Sequence, residues 1–197
     1  MGWLRFMVIN IILVLIYLVV ATGVFHSPEP GFVYDFERRL KFNEVVATSD
    51  DAVVVVGAVK GQNYEEGLNA FVAKIDTSGE ILWSQSFGEA GDDQFYDIKR
   101  TANGFVLAGA NAKDLDLSTD AYVVKINFAG QKQWAKKFEN QFNSVFNDLK
   151  VNENGDLVMV GEIEYATAEN ELNTNAYVVK TDNQGQTKWS KKFGGSN

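Results

Sequence analysis

The sequence predicts an all-β protein of repeated four-stranded sheets, preceded by one N-terminal transmembrane helix. Three observations predict this class. A long apolar run opens the chain, a pattern of about 50 residues recurs beyond residue 30, and each period contains short apolar segments separated by turn residues. Of the 197 residues, 46% are hydrophobic and 22% are charged, which is too apolar a composition for a disordered chain.

The first element is the predicted membrane anchor, within residues 1–28. The 20 residues from Phe6 to Phe25 include Asn10 and Thr22 as their only clearly polar members. As a helix they would be about 30 Å long, which matches the hydrocarbon core of a bilayer. Two prolines then end the helix, because proline lacks an N–H group and restricts the residue before it. We expect an uncleaved single-pass anchor; a cleaved signal peptide and a buried globular helix are the alternatives.

Charge predicts the orientation of the anchor and excludes one class of partner. Arg5 and the short N-terminal tail favour a cytoplasmic N-terminus, although three basic residues lie at positions 38–41 on the other side. The rest of the chain would then be extracytoplasmic, in the periplasm or at the cell surface. It carries all 26 acidic residues and 17 of the 18 basic ones, a net charge of −9, which is the wrong sign for binding nucleic acid.

The region 31–197 repeats itself. Ala70–Asp76 recurs as Ala121–Asn127 and again as Ala176–Asp182. Each copy is followed by a glycine three residues later, by a tryptophan four residues after the glycine, and by a phenylalanine four residues after the tryptophan. The aromatic pairs are Trp83 and Phe87, Trp134 and Phe138, and Trp189 and Phe193.

Each period predicts four short strands. Hairpin turns are indicated by Asn103-Gly104 and Asn154-Gly155, because both residue types tolerate positive φ. Alternation along a strand places the tryptophan and the following phenylalanine on one face, so each aromatic pair should pack between neighbouring sheets. We predict units at about 31–82, 83–133 and 134–188, each later unit starting with its Trp strand, and a closing strand at 189–193.

Four strands per period, with tryptophan and glycine in fixed places, are typical of β-propeller blades. Ile75–Gly88 and Lys188–Gly195 resemble the β-propeller repeats of bacterial secreted and cell-surface proteins, and more distantly the blades of PQQ-like quinoproteins. The resemblance covers residues 33–197 and implies a fold but no activity, since propellers have many unrelated functions. A PQQ-dependent dehydrogenase is disfavoured by the small number of units and by the absence of cysteine, so we expect no cofactor.

Three units make an incomplete ring, because propellers have about four to eight blades. The first predicted unit lacks a Trp strand, and the strand at 189–193 has no unit behind it. We hypothesise that the C-terminal strand completes the sheet begun at residues 40–60, which between two chains gives a homodimer with six blades. A truncated fragment of a larger propeller and an open three-unit wedge are the alternatives.

Few residues are candidates for chemistry. The only histidine, His26, lies beside the predicted anchor, so the repeats contain no Ser–His–Asp arrangement. One acidic residue per unit recurs at an equivalent place, as a site for a cation or substrate or as a structural cap: Glu44, Asp97 and Asp148. The loop Asp114–Asp120 has side-chain oxygens at alternate positions, as calcium loops do, but lacks the glycine and the bidentate glutamate of an EF-hand. Its candidate calcium ligands are Asp114, Asp116 and Asp120.

These observations favour a non-catalytic binding module over an enzyme. The segments Lys60–Asn69, Asn111–Asp120 and Ile163–Asn175 occupy the same connection in all three units and are rich in polar residues. We expect them to recognise an extracytoplasmic protein or glycan while the anchor holds the module at the membrane. A structural spacer on the cell surface is the alternative function.

Overall fold

The structure, a computed structural model, describes residues 40–61, 67–88, 91–112 and 118–195. Within these ranges no helix is long and apolar enough to cross a membrane. The anchor predicted at residues 1–28 lies outside the described residues. The described ranges form twelve strands: β1 (Leu40–Ala47), β2 (Val53–Lys60), β3 (Leu68–Ile75), β4 (Ile81–Phe87), β5 (Gln94–Thr101), β6 (Gly104–Ala112), β7 (Thr119–Ile126), β8 (Lys132–Phe138), β9 (Ser144–Val151), β10 (Leu157–Ala166), β11 (Leu172–Thr181) and β12 (Thr187–Phe193).

The strands form three four-stranded antiparallel sheets, and each sheet uses four consecutive strands. The first sheet is β1–β4, the second is β5–β8 and the third is β9–β12. Within each sheet, every strand pairs with the strand that follows it in the chain. The prediction of an all-β protein with four-stranded sheets is therefore confirmed for the described residues.

The Trp strands end the sheets, whereas the predicted units place them first. Trp83 pairs with Lys74 of β3, and the equivalent strands β8 and β12 pair with β7 and β11. The reason is the short turn at residues 76–80, closed by a 2.9 Å hydrogen bond from the Asp76 amide to the Glu80 carbonyl, which leaves β4 no route to another sheet. The unit bounds 31–82, 83–133 and 134–188 are thus displaced by one strand. The hypothesis that residues 189–193 complete the first sheet is wrong, because that sheet already contains β4.

One side chain shapes each of these turns. The Asp76 carboxylate accepts hydrogen bonds from the amides of Ser78 and Glu80, at 2.8 and 3.0 Å. Asn127 and Asp182 bind the corresponding amides of their own turns in the same way. The glycine of each turn adopts a left-handed φ, which residues with a side chain rarely adopt: Gly79, Gly130 and Gly185.

The second sheet lies between the other two, and its central strands β6 and β7 are buried on both faces, which explains their apolar composition. In β6, Phe105 and Leu107 pack toward the first sheet, while Val106 and Ala108 pack toward the third. Trp83 and Phe87 lie against the cluster between the first and second sheets, and Trp134 and Phe138 belong to the cluster between the second and third. A smaller cluster lies on the other face of the first sheet: Val53, Val55, Ala73 and Ile75, with Phe42, Val45, Phe71 and Ile81 beside it.

The third sheet presents its equivalent aromatic pair to solvent. Trp189 is 42% exposed and Phe193 is 55% exposed. Trp83 and Trp134 are each covered by the sheet that follows, whereas no sheet follows the third one among the described residues. The prediction that the pairs pack between sheets therefore fits two of the three pairs in the arrangement described.

The first strands of the three sheets lie side by side. β1 contacts β5, and β5 contacts β9. The Asn43 side-chain amide donates to the Phe95 carbonyl at 2.6 Å, which joins β1 to β5. The Leu149 amide donates to the Asp97 carboxylate at 2.7 Å, which joins β9 to β5. Residues 52 positions apart in the chain are thereby brought into direct contact along this row of strands.

Candidate functional site

A β-bulge interrupts the first strand of each sheet at the same place. In β1 the register shifts between Phe42 and Glu44, and the corresponding shifts occur in β5 and β9. A bulge leaves one residue unpaired and turns its side chain out of the regular alternation, and bulges are common beside functional sites. The bulged residues are Asn43, Tyr96 and Asn147.

A glycine stands opposite each bulge because no other residue fits there. A Cβ atom on Gly109 would lie 1.9 Å from the Gln94 carbonyl oxygen, and one on Gly161 would lie 1.9 Å from that of Val145. On Gly57 the corresponding distance, to the Lys41 carbonyl oxygen, is 1.7 Å. Glycine inside an apolar strand is the sequence signal for such a close approach. The 52-residue spacing of these glycines could therefore have located the bulges.

The predicted acidic residues follow the bulges directly and share one local role. The carboxylates of Glu44, Asp97 and Asp148 each accept a hydrogen bond from the amide of the next residue, at 3.0, 2.7 and 2.7 Å. The structure also brings Asp97 and Asp148 into a direct side-chain hydrogen bond across two sheets. Glu44 is exposed. The three residues thus satisfy backbone amides at the bulges, which is the role of a structural cap.

Asp97 and Asp148 have opposite electrostatic surroundings. Asp97 is 3% exposed, and burial raises the pKa of its carboxyl group despite the bond from Lys99. The hydrogen bond from Asp97 lowers the pKa of Asp148. Two carboxyl groups in contact titrate as a pair, and a proton binds more tightly to the more buried one. The first proton taken up by this pair therefore goes to Asp97, between the second and third sheets.

A cleft of about 530 Å³ opens where β5 and β9 begin. Ligand-binding clefts usually have volumes of about 300 to 1,000 Å³, so a small ligand or one segment of a polymer fits. Two of the three bulged residues, Tyr96 and Asn147, line it. The complete lining is Leu68, Asp92, Asp93, Gln94, Tyr96, Ala110, Ala112, Thr119, Asn143, Val145 and Asn147.

The walls of the cleft are fixed by equivalent hydrogen bonds between sheets. The Leu68 amide donates to the Asp92 carboxylate at 2.8 Å, joining the first sheet to the second. The Thr119 amide donates to the Asn143 side-chain oxygen at 2.8 Å, joining the second sheet to the third. Asp93 is fully buried and accepts from the Ala112 amide at 2.8 Å. These bonds hold the cleft open in one shape and occupy part of its polar lining.

Other polar groups of the cleft are available to a ligand. The Gln94 side-chain nitrogen is buried and has no hydrogen-bond partner in the described part of the chain. An unpaired buried donor costs about 1–3 kcal/mol. Because this nitrogen has almost no exposed surface, a ligand that accepts from it removes this cost only when the Gln94 side chain turns into the cleft. Tyr96 is half-buried, and burial raises the pKa of its phenol group, which therefore stays protonated at neutral pH. Asn147 is exposed and adds an amide that both donates and accepts.

The described ends of the loops predicted to bind a partner lie at the same end of the sheets as the cleft. They connect β2 to β3, β6 to β7, and β10 to β11. Leu68 and Thr119 each begin the strand after such a loop and line the cleft. Asn143 accepts from the Glu164 amide at 2.8 Å, which ties the cleft to the β10–β11 hairpin. Residues 62–66 and 113–117 of these loops lie outside the described residues.

The calcium hypothesis for the loop at 114–120 stays a prediction. Asp114 and Asp116 lie outside the described residues. Asp120 is buried, and its carboxylate accepts a hydrogen bond from the Asn140 amide at 3.0 Å. Among the residues that the structure describes, no group of three His, Cys, Asp or Glu side chains is close enough together to hold a metal ion.

Neither a scan against protein-family models nor a search of curated proteins finds a match. The cleft has no signal in the sequence, because its lining comes from all three sheets and from loops whose proximity depends on how the sheets pack.

Proposed function

We propose that this chain is a membrane-anchored, extracytoplasmic, non-catalytic binding module of β-propeller type that binds a glycan in the cleft between its sheets. The single observation that carries the proposal is the 530 Å³ cleft lined by the amides of Gln94 and Asn147 and the phenol of Tyr96. These groups donate and accept hydrogen bonds without carrying charge. Sugar hydroxyl groups, which also do both, match such a lining.

Three features support the β-propeller arrangement. The first strands of the sheets lie side by side, the sheets pack face to face, and each of the two inter-sheet clusters contains a Trp–Phe pair from the fourth strand. A radial array of four-stranded sheets has its first strands near an axis and its fourth strands outside. In that arrangement the bulges and the cleft lie at the axis, where the loops of one end converge.

The size of the cleft favours a glycan over a protein partner. Stable protein interfaces bury about 800 Å² on each partner and are commonly broad and flat. A concave cleft of 530 Å³ instead encloses a small group or one segment of a chain. The net charge of −9 outside the anchor leaves neutral or basic glycans as the best-suited ligands.

The buried carboxyl groups support a binding role over a catalytic one. Asp97 accepts bonds from the amides of Ile98 and Leu149, from Lys99, and shares one with Asp148. Both of its oxygens are thereby used in holding two sheets together. A general acid or base needs a free oxygen within reach of the substrate, and Asp97 does not offer one.

The test is binding of the purified full-length chain to a printed oligosaccharide array, followed by calorimetry with the strongest ligand. Gln94→Ala and Asn147→Ala should each weaken binding about 10-fold, because each removes a hydrogen bond worth about 1.4 kcal/mol. Gln184→Ala is the matched control, since Gln184 is an exposed glutamine in the β11–β12 turn, at the opposite end of the sheets. Binding that survives both cleft variants, or no binding to any oligosaccharide, would refute the proposal.

A further inference from the structure

The two interfaces between sheets use the same contact, a tryptophan lying on a glycine. Trp83 lies on Gly130 in the β7–β8 turn, where an added Cβ would be 2.7 Å from the indole Cε3 atom. Trp134 lies on Gly185 in the β11–β12 turn, where an added Cβ would be 3.2 Å from the ring. Both glycines are buried. A Cβ at Gly130 would overlap the indole of Trp83, and one at Gly185 would make a tighter contact with Trp134 than side chains usually make. Neither interface therefore has room for a large side chain in place of its glycine.

The tryptophan and the glycine of this contact each occur a third time, and neither third copy makes the contact within the described chain. Trp189 is equivalent to Trp83 and Trp134 but is 42% exposed. Gly79 is equivalent to Gly130 and Gly185 but is exposed, and an added Cβ there would meet nothing within 4 Å. The third sheet therefore has an exposed tryptophan, and the first sheet has an exposed glycine turn like those that Trp83 and Trp134 contact.

The face around Trp189 is built like faces that are buried elsewhere in the chain. In the second sheet, Val106 and Ala108 pack on the third sheet and are fully buried. Their equivalents in the third sheet are Val158 and Val160, and Val160 is 39% exposed. Three of the six large hydrophobic side chains that are exposed in the described residues lie on this face: Val160, Trp189 and Phe193.

The polar and aromatic residues that surround the tryptophan–glycine contact also have equivalents on the first and third sheets. Lys136 donates to the Gly185 carbonyl at 2.8 Å, across the interface between the second and third sheets. Lys191 occupies the equivalent place beside Trp189. Phe138 packs edge-on against Phe146 of the next sheet, with the ring centroids 5.1 Å apart. The residue of the first sheet equivalent to Phe146 is Phe42, which is half-buried and pairs with Phe71 at 6.4 Å.

We propose that two copies of this chain assemble head to tail, with Trp189 of each copy lying on Gly79 of the other. Lys191 then donates to the Gly79 carbonyl, and Phe193 packs beside Phe42. The partner is a second copy because the exposed face of the third sheet is complementary to a glycine turn flanked by an aromatic residue and a carbonyl acceptor. This chain has such a turn on its first sheet, between β3 and β4. Two such interfaces close a two-fold ring of six sheets, within the four to eight blades of β-propellers.

The assembly is tested by native mass spectrometry of the full-length chain, released from detergent or lipid nanodiscs. A dimer of two 21.9 kDa chains is expected. Trp189→Ala and Gly79→Asn should each shift the equilibrium at least 10-fold toward monomer. Asparagine tolerates the left-handed φ of Gly79, but its side chain would occupy the space where the indole lies. Phe128→Ala is the matched control, because Phe128 is 41% exposed and lies in the β7–β8 turn of the second sheet, outside the proposed contact. A monomer in the unmodified chain, or a dimer that persists in both variants, would overturn the proposal.

Cross-linking separates this interface from association through any other part of the chain. The sequence contains no cysteine, so single cysteines can be introduced without background. A mixture of Glu80→Cys and Thr187→Cys chains, altered at exposed positions beside Gly79 and Trp189, is treated with a short bis-maleimide. It should give at least 10-fold more cross-linked dimer than either variant alone. Equal yields in the three samples would contradict the head-to-tail arrangement even if a dimer forms.

Discussion

Replacing Gly109 by alanine should strongly destabilise the protein. Gly109 lies opposite the bulge in β5, whose bulged residue Tyr96 lines the cleft, so the substitution tests the geometry of the bulge. The added Cβ would lie 1.9 Å from the Gln94 carbonyl oxygen, whereas such contacts are essentially never shorter than 3.0 Å. β5 and β6 must therefore separate by about 1 Å at the bulge. The clash involves backbone atoms, so rotation of a side chain cannot relieve it.

The magnitude follows from what this separation breaks. Two strand-to-strand hydrogen bonds beside the bulge contribute about 1 kcal/mol each, and overpacking adds about 1–3 kcal/mol. Gly109→Ala should thus lower the free energy of unfolding by about 3–5 kcal/mol, which corresponds to a fall in Tm of roughly 6–20 °C in a protein of this size.

The assay is urea unfolding of the full-length chain, followed by far-ultraviolet circular dichroism. Gly155→Ala is the matched control, because Gly155 has a φ of 80° but its added Cβ would be 3.6 Å from the nearest atom, an ordinary contact. That variant should lose only the cost of the left-handed backbone, about 1–2 kcal/mol. A Gly109→Ala protein within 1 kcal/mol of the unmodified chain would refute the close approach at the bulge.

Three further predictions concern packing and pH. Trp134→Ala should lower the free energy of unfolding by about 2–4 kcal/mol in the same assay, since the indole packs on the cluster between two sheets, and a loss below 1 kcal/mol would contradict that packing. Because burial raises the pKa of Asp97 above its ordinary value of 3.8, its stabilising contribution is present at lower pH and is lost as pH rises through the raised pKa. The stability of the unmodified chain relative to Asp97→Asn should therefore fall as pH increases above 3.8, until Asp97 is ionised in the folded chain. A difference independent of pH would count against the raised pKa of Asp97. Hydrogen bonds from Lys74 and Thr48 lower the pKa of Asp50 to about 2. The stability difference between the unmodified chain and Asp50→Asn should therefore be constant above pH 3.8 and should vanish as pH falls toward 2. Persistence of the difference at pH 2 would exclude the Lys74–Asp50 pair as its source.

The strands were predictable because local chemistry determines them. The uninterrupted apolar run in β6 indicates a strand buried on both faces, and the structure buries it between two sheets. The turns at Asp76 and Asp182 are equally local, since one carboxylate and one glycine close each of them. The all-β class followed from these patterns without reference to tertiary contacts.

The grouping of strands into sheets was not predictable from periodicity alone. A periodic sequence shows the length of a unit but not where the unit begins, so Trp83 could equally open or close a sheet. The short turn after Ile75 contained the missing information, because a strand that follows so tight a turn pairs with the strand before it. Loop length was thus the better guide to the sheet boundaries than the position of tryptophan.

The candidate site was predicted only in part, because its geometry comes from contacts between sheets. The equivalence of Glu44, Asp97 and Asp148 was visible in the sequence, whereas the bond between Asp97 and Asp148 depends on β5 lying beside β9. Gln94 and Tyr96 had no motif to distinguish them. Their significance comes from a cleft that exists only when the sheets pack together.

The most direct test of the proposed function is nuclear magnetic resonance of the ¹⁵N-labelled full-length chain during titration with the oligosaccharide that binds best on the array. The side-chain amide of Gln94 reports on the cleft, because it is buried there without a partner in the described chain. We predict that the amide resonances of Gln94 and Asn147 shift with increasing ligand, while those of Gln184 at the opposite end stay fixed. Shifts confined to the turns at residues 76–80 and 182–186, with Gln94 unchanged, would contradict the proposed site.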